Sequence, residues 1–348
     1  MVCFATGAGY GEKEIDVRIE SLNHRGIELL KITGAQSCEL CGYKRLTAQN
    51  AEKIAEIAKR NSQVTPFNHS IHRLSNCSIS YNLVFALRMN FQTLELVYDS
   101  GAATITLNRP EKRNALSVQL LSELLAALDE IEQSDAQILI LTGAGKAFCA
   151  GMDLDELKTL AGKSHEENVE DSLRMARVFR QFYDFPKPTI AAVNGAAIAG
   201  GTGLATMCDF TLAVPDAKFG YTEVRIGFVP AIVSSILVWQ VGHKIARDLL
   251  LTGRVFEATE GHRLGLVNEV VPAEQLMGRA RELATQLMES SPASLRMTKK
   301  LINSYIAGAL DQQIERAVQE NAAIRQTKDF QEGIGSFLEK RKPRWSGQ

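Results

Sequence analysis

The chain has 348 residues, with 39 Lys plus Arg against 40 Asp plus Glu, 45% hydrophobic and 23% charged residues, and a formal net charge of −1. That length holds one large domain or two smaller ones, and the composition is that of a globular chain, not a disordered one. The near-neutral balance draws the chain to neither nucleic acid nor an anionic membrane, no apolar run reaches 18 residues, and six scattered cysteines make no disulfide framework, so a reducing cytoplasm is expected.

Residues 1–88 carry weak periodicity. The first 14 have no apolar segment of the kind a secretory signal needs. Within 1–88 only 51–59 (AEKIAEIAK) has the spacing of a short amphipathic helix, and 61–80 is polar and loop-like. Cys38-x-x-Cys41 and His69-x-x-His72 have ligand-like spacing at each end, but the gap between the pairs is long for a compact zinc finger, and no metal is expected. The recognisable pattern starts after Met89, so 1–88 is expected to be an N-terminal extension outside the catalytic unit.

Residues 94–98 and 102–107 are predicted strands around the turn Asp99-Ser100-Gly101. Residues 116–131 have apolar positions at helical spacing. The runs QILIL (137–141) and TIAAV (189–193) suit buried strands. Strand and helix alternate as far as 272, which predicts an α/β core over 89–272. Helical spacing dominates the C-terminal region 273–348, clearest at 276–288 and 310–324.

Three glycine-containing segments offer chemistry. AFCAGMD (147–153) follows a strand, NGAAIAGGTGL (194–204) runs into a helix, and FGYTEVRIGFVP (219–230) holds one carboxylate, Glu223, among apolar neighbours. Small residues let a ligand approach the main chain, and amides at a helix start carry the positive end of its dipole. Two N–H groups aimed at one spot would hold the oxygen of a thioester as it becomes an enolate. GGTG is neither a P-loop nor a dinucleotide fingerprint. A carboxylate desolvated among Val224, Ile226 and Phe228 would have a raised pKa, as an acid/base near neutrality requires. Alternation along a strand would turn Arg225 to the other side.

The segments AFCAGMDL, KPTIAAVNGAAIAGGTGLATMCDFTLA, AKFGYTEVRIGFVPA and LLLTGRVFEATEGHRLGLVNEVV, in that order and spacing, resemble the enoyl-CoA hydratase/isomerase (crotonase) family, as does the loop Asn108-Arg-Pro-Glu-Lys-Arg-Asn-Ala-Leu116. The resemblance spans 89 to about 345. It implies a spiral of β-β-α units followed by C-terminal helices, assembly as a homotrimer or homohexamer, and an acyl-CoA thioester substrate in fatty-acid metabolism. Carried over residue by residue, it makes the amides of Ala150 and Gly200 the oxyanion donors and Glu223 the acid/base. The substrate would lie along Ala150, Gly151, Met152 and Asp153, with Gly200 and Gly201 alongside. Lys112, Arg113 and Ala115 would approach the phosphate end of coenzyme A. No cofactor is implied beyond the coenzyme A of the substrate itself.

The family's first hydratase carboxylate falls on Gly203, which has no side chain to hold water. That favours a 1,3 proton shift by a single base, a Δ3,Δ2-enoyl-CoA isomerase, or a modified hydration in which Tyr221 helps. The string Glu-Val-Arg-Ile-Gly instead resembles bacterial hydratases of the methylglutaconyl-CoA type. The expected activity is therefore hydration of a 2-enoyl-CoA, with isomerisation as the alternative. A non-enzymatic acyl-CoA- or RNA-binding relative is the third reading, which the intact glycine loops and embedded Glu223 oppose. Neither membrane nor nucleic acid is an expected partner.

Overall fold

The computed structural model describes residues 91–348 apart from 161, together with the backbone of four short strands before residue 46: β1 (Asp16–Leu22), β2 (Glu28–Thr33), β3 (Gln36–Ser37) and β4 (Lys44–Arg45). β1 pairs with β2 and β3 with β4, both antiparallel. The helix expected at 51–59, the loop at 61–80 and the Cys38/Cys41/His69/His72 set lie outside the described residues. The chain divides into two compact units, Met1–Asn90 and Phe91–Gln348.

The second unit opens with the hairpin β5 (Leu94–Asp99) and β6 (Ala102–Leu107). Its two turn residues, Ser100 and Gly101, both have positive φ (50° and 82°), the geometry that matches a two-residue turn to strand twist. Helix α1 (Val118–Gln133) is capped by Ser117, whose hydroxyl accepts from the Leu120 N–H, which moves its start two residues past the periodic run. Strand β7 (Ile138–Gly143) is buried at all six positions.

From β7 onward each turn of the chain contributes one strand to each of two sheets. β8 (Ala147–Cys149), β10 (Ala196–Ile198) and β12 (Lys218–Gly220) lie side by side in a four-stranded sheet edged by β13 (Phe256–Glu257). β7, β9 (Thr189–Val193), β11 (Phe210–Ala213) and β14 (Glu269–Val270) extend a six-stranded sheet beyond β6 and β5. Within these two sheets only the edge pairs β5–β6 and β12–β13 are antiparallel. Returning repeatedly to two parallel sheets in the same sense is a spiral of β-β-α turns, the α/β architecture expected.

Helices fill the crossovers: α2 (Leu154–Leu160), α3 (His165–Asp184), α4 (Gly200–Met207), α5 (Ala231–Thr252) and α6 (Ala258–Arg263). Four more follow: α7 (Leu276–Met288), α8 (Pro292–Ser304), α9 (Ala307–Ile324) and α10 (Lys328–Leu338). Leu276, Ala280 and Leu283 of α7 and Leu310 and Val318 of α9 enter the main core, so 273–348 is packed into the catalytic unit. A second, smaller core joins Leu157, Leu160, Phe228, Phe330 and Ile334. The cavity described next has residues of both cores in its walls.

Candidate active site

A cavity of about 230 Å³ is walled by the loop after β8, the start of α4, the turn after β12, and α9. Ala150, Met152, Gly200 and Glu223 line it. Gly151, Asp153, Ala115 and Gly201 lie outside that lining, and each makes close contacts within the protein. Gly151 sits at φ 86° with its missing Cβ facing Ile198 O at 2.9 Å. A Cβ on Gly201 would fall 2.1 Å from Cys149 O. These approaches press the loop after β8 against the start of α4 with no room for a methyl group. Asp153 is buried and paired to Arg109 at 2.6 Å, while Arg109 also donates to Ala115 O at 2.5 Å.

Ala150 lines the cavity, but its expected role as an oxyanion donor is corrected. Its N–H donates to Arg113 O at 3.0 Å, so its one amide hydrogen is engaged within the protein. The neighbouring parallel bridge explains which amide is left. Leu116 donates to Gly151 O (2.7 Å) and accepts from Asp153 N–H (2.8 Å). Such a bridge uses the residues on either side of Met152 and leaves the Met152 N–H without a partner among the described residues. Gly200, the first residue of α4, likewise has an N–H with no helical carbonyl four residues back. The residue before it, Ala199, is held at φ 52°, ψ −119°, a conformation costly for an L side chain, and this turn presents the amides of α4 to the cavity.

Glu223 begins a short 3₁₀ turn, Glu223–Ile226, and is not on a strand. Gly227 at φ 68° closes that turn. Arg225 is exposed, so it does face away from Glu223, by helical geometry and not by strand alternation. Only 8% of Glu223 is exposed, and its Oε2 has no hydrogen-bond partner among the described residues. Burial pushes its carboxyl up to about 7, opposed only by its own backbone N–H. The Tyr221 hydroxyl is buried against Thr206 Oγ1 at 3.2 Å and lies outside the cavity lining, so it gives Glu223 no help at the substrate.

Gly203 is walled off. A Cβ there would meet Val233 Cγ1 at 2.6 Å and Phe179 Cζ at 3.4 Å. Apolar side chains occupy the space a second carboxylate would need, which leaves Glu223 the sole carboxylate in the cavity lining.

At the loop 109–115, Lys112 pairs with Asp155 at 2.8 Å on the surface, whereas Arg113 is exposed and has no ion pair among the described residues. Arg113 at φ 52° and Asn114 at φ 55° fold this loop back on itself. Asn114 was not singled out from sequence, yet it is fully buried and donates to Ala144 O (2.9 Å) and Ala147 O (2.8 Å), tying the loop to β8. Arg325 and Asn321 also line the cavity without a sequence signal. Among the described residues no group of three His, Cys, Asp or Glu side chains could hold a metal, and no helix is long and apolar enough to cross a membrane.

Residues 98–348 match the Enoyl-CoA hydratase/isomerase family. A relative from Thermus thermophilus is 47% identical over 244 residues, 70% of this chain and 96% of the relative. The Short-chain-enoyl-CoA hydratase of Clostridium acetobutylicum is 34% identical over 258 residues, 73% and 97% of the two chains. A crystal structure of an enoyl-CoA hydratase/isomerase from Xanthobacter autotrophicus Py2 superposes with a TM-score of 0.68 at 32% identity, covering 72% of this chain and 94% of that one.

Proposed function

Because the chain belongs to the enoyl-CoA hydratase/isomerase family, we propose that it adds water across the 2,3 double bond of a 2-enoyl-CoA thioester, with Glu223 as acid and base. The observation that carries this reading is a carboxyl, buried and without a partner for its Oε2 among the described residues and pushed up to about 7 by that burial, in the same cavity wall as two amides that are likewise unpartnered there. Ionised Glu223 takes a proton from water as the water oxygen bonds to C3. The electron pair of the double bond moves onto the thioester oxygen, which the Met152 and Gly200 N–H groups receive as an enolate. Protonated Glu223 then gives the proton to C2, and the thioester carbonyl reforms. One group serving both carbons from one side makes the addition syn. Each oxyanion donor of this kind lowers the barrier by about 3–4 kcal/mol.

Relatives named as hydratases support hydration over isomerisation. The apolar filling beside Gly203 supports the isomerase as the second reading, because a 1,3 proton shift needs only one base. Coenzyme A enters as part of the substrate, and Arg113, which has no ion pair among the described residues, is the cation of the 109–115 loop for its phosphates. The likeness of Glu-Val-Arg-Ile-Gly to methylglutaconyl-CoA hydratases supports a branched acyl group. Met297, Leu301, Ile302 and Tyr305 on and just beyond α8 are more than half exposed, an apolar face that suits the proposed homotrimer or homohexamer. Light scattering that finds a monomer would sink that assembly.

The test of activity is a paired assay on the full chain. Crotonyl-CoA should lose its conjugated thioester absorbance and yield the 3-hydroxyacyl product. A gain of that absorbance from a 3-enoyl-CoA, with crotonyl-CoA untouched, would make the protein an isomerase and refute hydration.

A further inference from the structure

Besides Thr222 and Glu223, the polar side chains lining the cavity are Asn321 on α9 and Arg325 just after it. Arg325 is 2% exposed, among the largest fully enclosed side chains of the described residues. Its Nη1 donates to Asn168 Oδ1 (3.1 Å) and Asp171 Oδ2 (2.8 Å), and its Nη2 to Asn321 Oδ1 (2.6 Å). A guanidinium has five N–H groups, so these three bonds leave two unused. One of them is the Nε–H, which is buried with no partner among the described residues. Nε and Nη2 form one edge of the planar guanidinium, the edge that takes a carboxylate as a fork. The guanidinium carbon lies 5.4 Å from the centroid of the Phe228 ring, which holds the plane in place from one side.

The charges around this group do not close among themselves. Asp171 is the one carboxylate paired with Arg325, and its other oxygen lies 3.7 Å from Lys163 Nζ and 4.0 Å from Arg174 Nη1. Among the ion pairs of the described residues, only the exposed Glu170, 3.9 Å from Arg174, adds a second negative charge. Three cations against two carboxylates leave a positive excess behind an otherwise apolar wall. The ion pair of Arg325 is with Asp171, and among the described residues it makes none with Glu223. Burial also draws the Arg325 pKa downward, partly offset by Asp171, as expected of a cation short of compensation. Leaving a buried charged donor unpaired is costly, and a ligand anion removes that cost.

We propose that Arg325, with Asn321, is the specificity determinant for an acyl group that itself carries a carboxylate, so that the substrate class is a dicarboxylic acyl-CoA joined to coenzyme A through one end. This rests on the acyl-CoA reading above and goes beyond it by assigning the group that recognises the far end of the acyl chain.

The test measures binding separately from turnover. Calorimetric titration of the full chain with glutaryl-CoA and adipyl-CoA is set against 5-methylhexanoyl-CoA and 6-methylheptanoyl-CoA, apolar acyl groups of matching length and shape. At least one dicarboxylic ligand should bind about tenfold or more tightly than its apolar match. Arg325→Met should abolish or reverse that ratio, and Arg325→Lys, which keeps the charge but loses the fork, should retain part of it. A merely structural role for Arg325 would weaken both ligands alike and leave the ratio unchanged. Equal or tighter binding of both apolar ligands to the unaltered protein overturns the proposal whether or not the variants fold. A preference that survives in Arg325→Met overturns the assignment to this residue. The corresponding 2-enoyl thioesters then separate the two ideas. Carboxylate preference in binding with no hydration refutes the hydratase reading alone, and hydration with no carboxylate preference refutes this proposal alone.

Discussion

Replacing Glu223 with Gln separates catalysis from stability through one pH titration. A carboxyl that titrates near 7 in the folded protein and at 4.5 when unperturbed has lost about 3 kcal/mol of preference for its charged form. Below pH 4.5 both states are protonated and burial costs no charge. Between pH 4.5 and 7 the unfolded chain ionises while the folded one keeps its proton, so stability falls as pH rises. Above 7 the folded form ionises as well and the loss levels off at about 3 kcal/mol. Gln has no such titration. Its amide carries its own burial cost, but that cost is the same at every pH and cancels when two pH values are compared. Urea unfolding at pH 5 and pH 9 should therefore show Glu223→Gln gaining about 2–3 kcal/mol on the unaltered protein across that interval. Turnover should fall by about 10²–10⁴-fold in the same variant. In the unaltered protein kcat/KM should rise with pH and level off above about 7, as a single base requires. A stability difference that stays flat from pH 5 to 9 would refute the buried, unpartnered state of Glu223 and with it the physical basis of the proposed mechanism.

Gly203→Glu should not add hydratase activity, because its Cβ would lie 2.6 Å from Val233 Cγ1; we expect a stability loss of about 1–3 kcal/mol, partly relieved by Val233→Ala, and a rate increase in the single variant would contradict the apolar wall. Gly201→Ala drives a methyl group to 2.1 Å from Cys149 O and should cost about 3 kcal/mol in chemical unfolding, with thioester binding lost as the two loops part. Ala199→Gly removes a side chain from a backbone at φ 52° and should stabilise by about 1 kcal/mol; unchanged or lower stability would mean the strain is not there. Arg109→Met leaves the buried Asp153 without its cation and should destabilise by about 3–5 kcal/mol, which thermal or chemical unfolding reads directly.

The parts of this molecule that were legible in its sequence are those fixed by local rules. β6 and β9 have the bounds their alternation and apolar runs predict, and the turn at Ser100-Gly101 has the backbone its residues favour. The sequence reading assigns no element to 165–184, although Ser164 and Glu167 form a capping box that marks the start of α3 there. Glu223 was found from its apolar setting, but its 3₁₀ turn depends on Gly227, whose missing Cβ faces Asp329 O at 2.4 Å, a contact across a hundred positions. The free amide at Met152 and the engaged one at Ala150 follow from the register of a bridge to Leu116, which no spacing reveals. Arg325 looks in sequence like any arginine at a helix end. Only the packing of α3, α9 and Phe228 around it makes it a buried cation.

The contact between Gly227 and Asp329 has a counterpart at Gly333, where a Cβ would fall 2.2 Å from Ile226 O. Helix α10 thus clasps the turn that carries Glu223 at Ile226 and Gly227 by close backbone approach, beside the side-chain packing of Phe228 on Phe330. Closing a loop of this length pays its entropy before any contact forms. The turn of Glu223 accordingly gains this support only once residues 329–333 are in place. A chain cut short before them keeps both sheets but lacks the helix that backs this turn, so the surroundings of Glu223 are completed by α10.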